Sequence, residues 1–206
     1  MPKKMKHLDH LLAFVDLTHR FQQTKRVIHA TGEDRMENDA EHSYQLALVA
    51  WYLAEKHALP LNKEKLLQYA LVHDLVEAYA GDTYFYRDAA ADQKKKEAEH
   101  MAAERIAREF PDFPKLHETL AAYEKQGDDE AKFLYSLDKL LPVINIYKDG
   151  GRSWKAHGVT LEMTAIEKSK KITDPLIAHY LTDLLDTLAK HQDMFATPNT
   201  NTDTTV

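Results

Sequence analysis

A histidine and two carboxylates near the middle of the chain have the types and spacing needed to bind a metal ion. His73 and Asp74 lie inside the helical run Leu66–Asp82, LLQYALVHDLVEAYAGD. Glu77 follows His73 by one helical turn, and the two side chains share a stripe with Leu66 and Ala70 that is expected to be buried. Burying ionisable groups is unfavourable unless they are paired or bind a metal. The stretch therefore predicts a buried polar centre.

Two other predicted helices each carry an ionisable residue on the stripe that is expected to face the core, where an apolar residue is usual. His42 lies in the first turn of a helix that begins at Asp39, after a capping box formed by Asn38 and Glu41. Asp138 lies among leucines that recur at helical spacing. Both side chains are therefore expected to face the core.

The four core-facing residues form a donor set with a recognisable chemistry: His42, His73, Asp74 and Asp138. Two imidazoles and two carboxylates suit a divalent transition metal that keeps open coordination positions. Such a metal lowers the pKa of bound water and polarises a phosphoryl oxygen. A metal-free network of His–Asp hydrogen bonds is the alternative.

Composition narrows the class of protein that could carry such a site. The chain has 206 residues, is 44% hydrophobic and has a net charge of −6, which argues against a general binder of nucleic acid or of membrane surfaces. The absence of cysteine excludes disulfides, thiolate catalysis and Cys-ligated zinc. No apolar run approaches transmembrane length and the N-terminus is not a convincing signal peptide, so a cytoplasmic protein is expected.

Helical periodicity dominates the chain, and it predicts an all-α fold. We expect one helical domain over 1–195, followed by a disordered polar tail over 196–206. The predicted helices span 8–21, 39–57, 63–80, 93–110, a short segment ending near 124, 130–147, 158–171 and 175–192. The first helix is expected to turn Leu11, Leu12 and Val15 inward, and the loop after it to have some strand character at 26–29.

Three motifs resemble one known family, the HD-domain metal-dependent phosphohydrolases. They are EHSYQLALVA around His42, ALVHDLVEAYAGDT around His73, and EAKFLYSLDKLLPVI around Asp138. They look most like the branch that includes the bacterial 5′-deoxynucleotidases, and the resemblance covers roughly residues 8–190. It implies a single HD-domain helical bundle that binds one divalent metal ion, for which Co, Mn, Zn, Fe, Ni and Mg are the candidates.

The resemblance also implies roles for individual residues. The metal would be held by His42, His73, Asp74 and Asp138. Glu77 would act on the attacking water, and Asp82 would lie close to the water or the sugar. Arg20 best matches an Arg that contacts the phosphate, and Phe21 takes the place of an aromatic that stacks near the nucleoside. These roles imply a phosphoric monoester hydrolase acting on (deoxy)nucleoside 5′-monophosphates.

The chain departs from the family pattern in ways that leave alternatives open. The loop 22–35 is longer than in the family, so Arg26 is an alternative phosphate contact. Ala121 and Ala122 replace a pair of Glu that is common in this branch. The alternative functions are a catalytically weak nucleotide-binding HD protein and a two-metal phosphodiesterase or oxygenase, which would need further ligands such as His100 and His117.

The expected partner is a small nucleotide substrate, without nucleic acid or membrane. A homodimer is also expected, from the family resemblance and from the aromatic residues within Thr83–Tyr86.

Overall fold

The computed structural model describes residues 7–82 and 89–197, and these residues are largely α-helical, as the sequence predicts. The first half contains α1 (His7–Gln23), β1 (Lys25–His29), β2 (Met36–Asn38), α2 (Asp39–Lys56), α3 (Lys63–Val72) and α4 (Glu77–Ala80). The second half contains α5 (Ala89–Glu109), α6 (Pro114–Lys125), α7 (Asp129–Lys148), α8 (Arg152–Ala156), α9 (Leu161–Lys171), α10 (Pro175–Leu188) and a short 3₁₀ helix (Gln192–Met194). The strand character expected at 26–29 is confirmed, because β1 pairs with β2 in a two-stranded sheet.

The predicted helix over 63–80 is divided in the structure. Regular α-helix ends at Val72, and several amides then bond to the carbonyl three residues back, including Glu77 N to Asp74 O at 2.8 Å. In this tighter winding, side chains three residues apart lie above one another. Asp74 and Glu77 are therefore brought to the same side, which a continuous α-helix would achieve less closely.

The predicted capping box of α2 is confirmed, and a glycine ends α4. Asn38 and Glu41 form the reciprocal capping box of α2, with Glu41 N donating to Asn38 Oδ1 at 3.0 Å. Gly81 ends α4 with φ of +76°, a left-handed conformation that glycine adopts without a Cβ clash. These caps place His42 one turn into α2 and bring Asp82 directly after α4.

The chain divides into two compact units, of which the first comprises 1–27 and 36–134. Its core cluster is formed by Leu17, Phe21, Leu75, Ile106, Phe110 and Leu116. The inward face predicted for α1 was wrong at Leu11 and Leu12, which are 59% and 52% exposed. The buried face of α1 instead runs through Leu17 and Phe21, and the half-buried Ala13 and Phe14 pack against the same cluster.

The second unit comprises 28–35 and 135–206 and is described as far as residue 197. Asp149 accepts hydrogen bonds from Gly32 N at 3.0 Å and from Arg152 Nε at 2.9 Å, so it ties the segment 28–35 to the end of α7. Trp154 stacks on Phe195 with ring centroids 4.3 Å apart. The short helix α8 was missed in the sequence, because it has only five residues.

Two further predictions concern residues that lie mostly or wholly outside the part of the chain that the structure describes. The tail expected to be disordered lies mostly in 198–206, outside the described residues, and so does the aromatic segment Thr83–Tyr86. The single domain expected over 1–195 stays a prediction. None of the helices in 7–82 and 89–197 combines the length and the apolar character that a membrane crossing requires.

Candidate metal centre

His42, His73 and Asp74 come together in the first unit. Each offers a ligand atom, and these atoms lie within 4.8 Å of one another. The two imidazole rings are 5.4 Å apart between centroids, and both residues are buried. The stripe of Leu66, Ala70, His73 and Glu77 is buried as predicted. The fold therefore brings two buried imidazoles and a half-buried carboxylate together, which is a donor set that a metal cation can use.

The hydrogen bonds of His73 fit a metal ligand. Its Nδ1 lies 3.0 Å from the carbonyl oxygen of Ala70, and a carbonyl only accepts, so Nδ1 carries the proton. Its Nε2 then presents a lone pair 3.0 Å from Asp74 Oδ2. Two lone pairs at this distance repel unless a proton or a metal ion lies between them. A backbone carbonyl that orients the other ring nitrogen is typical of histidines that bind metals.

Arg26 holds Asp74 from the other side. Its Nη1 donates to Asp74 Oδ2 at 2.9 Å and to Asp39 Oδ1 at 3.2 Å, while its Nε lies 3.4 Å from Glu37 Oε2. Only 13% of the Arg26 side chain is exposed. The guanidinium is therefore engaged by protein carboxylates, which makes Arg26 a partner of the candidate centre.

A second carboxylate group adjoins the histidines. Asp39, Asp74 and Glu77 offer ligand atoms within 4.8 Å of one another. Burial, and then the Asp74 carboxylate, raise the pKa of Glu77 to about 9, and the same two causes raise the pKa of Asp39 to about 7. The Asp82 carboxylate contributes to both shifts. The crowding of these carboxyl groups disfavours their charged forms, which a cation among them would stabilise.

Lys95 supplies a positive charge from α5. Its Nζ lies 2.8 Å from Glu77 Oε1. Burial lowers the pKa of Lys95, but the Glu77, Glu99 and Asp74 carboxylates together raise it above its usual value, so the ammonium stays charged. The sequence did not reveal this residue, because Lys94–Lys96 is indistinguishable from a solvated run.

Asp138 is 3% exposed on α7, in the core stripe that the sequence predicts. Its Oδ2 forms an ion pair with Lys139 Nζ at 2.5 Å. Leu134, Leu137 and Leu141 of the same stripe are buried as well. Burial of a carboxylate in a leucine stripe is unfavourable without a cation, and Lys139 supplies one here, so the role of Asp138 as a metal ligand stays a prediction.

The residues predicted to contact substrate have different surroundings. Arg20 is exposed at the end of α1, with its guanidinium carbon 5.8 Å from the ring centroid of Tyr79. Phe21 is 7% exposed and belongs to the core cluster. Asp82 is half-buried directly after Gly81. The substrate roles of these residues stay predictions.

The histidines that a second metal would need are engaged elsewhere. His100 is exposed and lies 3.5 Å from Glu104, one turn along α5. His117 donates from Nε2 to the carbonyl of Phe110 at 2.8 Å. Within residues 7–82 and 89–197, neither belongs to a group of potential metal ligands.

The chain is similar in sequence to known proteins of one family. The HD domain family model matches residues 18–178. Human 5′-deoxynucleotidase HDDC2 is 32% identical over 111 residues, which are 51% of this chain and 50% of that protein. The 5′-deoxynucleotidase hdd1 of Schizosaccharomyces pombe is 24% identical over 185 residues, covering 85% of this chain and 88% of that protein. The alignments span about half the length of the first curated relatives that the chain matches.

A solved structure extends the similarity to most of the chain. The protein, described as a predicted metal-dependent phosphohydrolase from Magnetospirillum magnetotacticum MS-1, is 29% identical, with a TM-score of 0.78. The match covers 92% of this chain and 96% of that one.

Proposed function

This chain belongs to the HD domain family, and on that premise we propose that it is a metal-dependent phosphohydrolase acting on nucleoside 5′-monophosphates. Its products would be a nucleoside and phosphate, and deoxynucleotides are the first substrates to test. The observation that carries the proposal is the cluster of the buried His42 and His73 with the half-buried Asp74, beside which Glu77 lies. The names of the relatives, which are 5′-deoxynucleotidases, support the substrate class.

One divalent metal ion would be held by His42, His73, Asp74 and Asp138. The donor set fits such an ion, because neutral imidazoles and carboxylates are ligands of divalent transition metals. The orientation of His73 by the Ala70 carbonyl and the burial of Asp138 support the assignment. When bound, the metal would act as a Lewis acid on the phosphoryl oxygen and make water more acidic.

Glu77 is the residue proposed to act on the attacking water. Its Oε1 is held by Lys95, whereas its Oε2 is buried without a hydrogen-bond partner among the described residues. A general base needs one carboxylate oxygen available to the water, and Oε2 is the oxygen that Lys95 does not hold. Asp82 directly follows α4 and is proposed to lie near the water or the sugar.

Arg20 is the better candidate for the phosphate contact. Arg26 already donates to two carboxylates, so its guanidinium is committed to the protein. Arg20 is exposed, with its guanidinium carbon 5.8 Å from the Tyr79 ring centroid, and its fork of donors matches two phosphate oxygens. Phe21 is proposed as a neighbour of the nucleoside, although its place in the core cluster limits how far the ring can reach.

The test is turnover of the deoxynucleoside and ribonucleoside 5′-monophosphates with each candidate divalent metal, with 3′-monophosphates and a dinucleoside phosphodiester as comparisons. We expect metal-dependent release of phosphate from 5′-monophosphates. Glu77→Gln should keep metal and nucleotide binding while kcat falls by about 10²–10⁴-fold. Nucleotide binding without any turnover would favour the catalytically weak alternative, and preference for the phosphodiester would favour the two-metal alternative.

A cytoplasmic location and a homodimer complete the proposal. Light scattering at micromolar concentration checks the second, and a monomer there would contradict it.

A further inference from the structure

The three consecutive lysines of α5 have different surroundings. Lys94 and Lys96 are exposed, whereas the side chain of Lys95 is only 19% exposed. Charged side chains are rarely buried unless they are paired. The inward direction of Lys95 therefore requires a partner, which the structure supplies on α4.

That partner is Glu77. The Lys95 ammonium lies 2.8 Å from Glu77 Oε1 and 3.2 Å from Glu99 Oε1, so two carboxylates hold it between α4 and α5. Glu99 lies one turn further along α5 and anchors the lysine from its own helix. The ammonium has three donors in total, and two of them have defined acceptors.

The ion pair fixes how the Glu77 carboxylate is turned. With Oε1 on Lys95, Oε2 is the oxygen left for another contact, and it is buried without a hydrogen-bond partner among the described residues. Rotation of the carboxylate would move a buried oxygen away from its cation, which costs free energy in a site that is only 3% exposed. Lys95 therefore selects one orientation of Glu77.

We infer that Lys95 is a positioning residue, which holds Glu77 so that Oε2 meets the attacking water. The inference rests on the proposed function, and it goes beyond it by assigning a task to a residue outside the HD motif. Lys95 acts through Glu77 and does not bind the metal. A lysine that contacted the substrate phosphate directly would differ, because its loss would raise KM even when Glu77 is absent.

The kinetic test compares Lys95→Met with Lys95→Arg, which keeps the charge, and uses Lys94→Met and Lys96→Met as matched controls. Each variant is assayed with the four deoxynucleoside 5′-monophosphates and Mn²⁺. Lys95→Met should lower kcat by about 10–100-fold, the usual effect of losing a residue that orients a functional group, with KM and metal content unchanged. Lys95→Arg should recover part of the loss, and both controls should behave as wild type.

A double-mutant cycle separates positioning from direct binding. In the Glu77→Gln background, Lys95→Met should change kcat by less than about twofold, because the group it positions is already gone. An equal loss in both backgrounds, or a rise in KM in both, overturns the inference in favour of a direct contact.

A stability cycle provides a readout that does not depend on activity. Urea denaturation of the metal-free protein should show that Lys95→Met costs less in the Glu77→Gln background than in wild type, since no buried carboxylate is then left unpaired. Additive losses overturn the ion pair and with it the inference. If wild type releases no phosphate, the proposed function fails and the catalytic task of Lys95 fails with it. If wild type is active and Lys95→Met is equally active, the inference about Lys95 is overturned while the proposed function stands.

Discussion

Replacement of Arg26 by Met is expected to destabilise the protein strongly even without substrate or metal. The guanidinium donates to Asp74 at 2.9 Å and to Asp39 at 3.2 Å, and Asp39 is fully buried. Removing one partner of a buried ion pair costs about 3–5 kcal/mol, because the remaining charge stays in the interior. Since two carboxylates lose the same donor, we expect Arg26→Met to lower the free energy of unfolding by about 3–5 kcal/mol.

The assay is urea denaturation of metal-free protein followed by circular dichroism. Arg35→Met is the control, because Arg35 pairs with Glu33 at the surface, with side chains 45% and 57% exposed. Surface pairs of this kind contribute about 0–1 kcal/mol. Arg26→Lys should lose only part of the stability, because lysine keeps the positive charge but lacks the branched guanidinium. Equal losses in Arg26→Met and Arg35→Met would refute the reasoning.

Two further predictions concern residues that are not among the candidate ligands. The pKa of Asp128 lies below its usual value. Burial raises this pKa, but the hydrogen bond from Ala131 N and the ion pair with Lys65 lower it. Its stabilisation is therefore present above the unfolded value of about 3.9 and is lost as the pH falls through the folded value. The difference in urea stability between wild type and Asp128→Asn should accordingly shrink below about pH 4. Gly151→Ala should lower Tm further than Gly32→Ala. The φ angles are similar, +77° at Gly151 and +79° at Gly32. A Cβ added at Gly151 would lie 2.2 Å from Met194 O, whereas a Cβ added at Gly32 would have no atom within 4 Å.

The burial of His42, His73 and Asp138 could be predicted because each occurs in a stripe of helical spacing in the sequence. The spacing around His73 and around Asp138 is helical, and a polar residue in an apolar stripe stands out without any knowledge of the partner helices. The capping box at Asn38 likewise fixed the start of α2, because its hydrogen bonds are local. These features need only neighbours in sequence.

The contacts that complete the centre could not be predicted, because they join residues distant in sequence. Arg26 reaches Asp74 across 48 positions, and nothing in the composition of the loop distinguishes it from Arg20. Lys95 differs from its two neighbouring lysines only through the direction in which α5 packs. The tight winding after Val72 also leaves no mark in helix propensity, although it determines that Glu77 approaches Asp74.

The central claim is that His42, His73, Asp74 and Asp138 hold one divalent metal ion on which phosphate release depends. Metal analysis by mass spectrometry, after chelation and reconstitution, tests it most directly. We expect about one equivalent in wild type and in the surface control Asp183→Asn, by analogy with single-metal sites of this donor chemistry. Asp138→Asn and His73→Gln should lose the metal and the phosphate release together while circular dichroism shows a folded protein. Full metal content in either ligand variant, or phosphate release from metal-free wild type, would contradict the account.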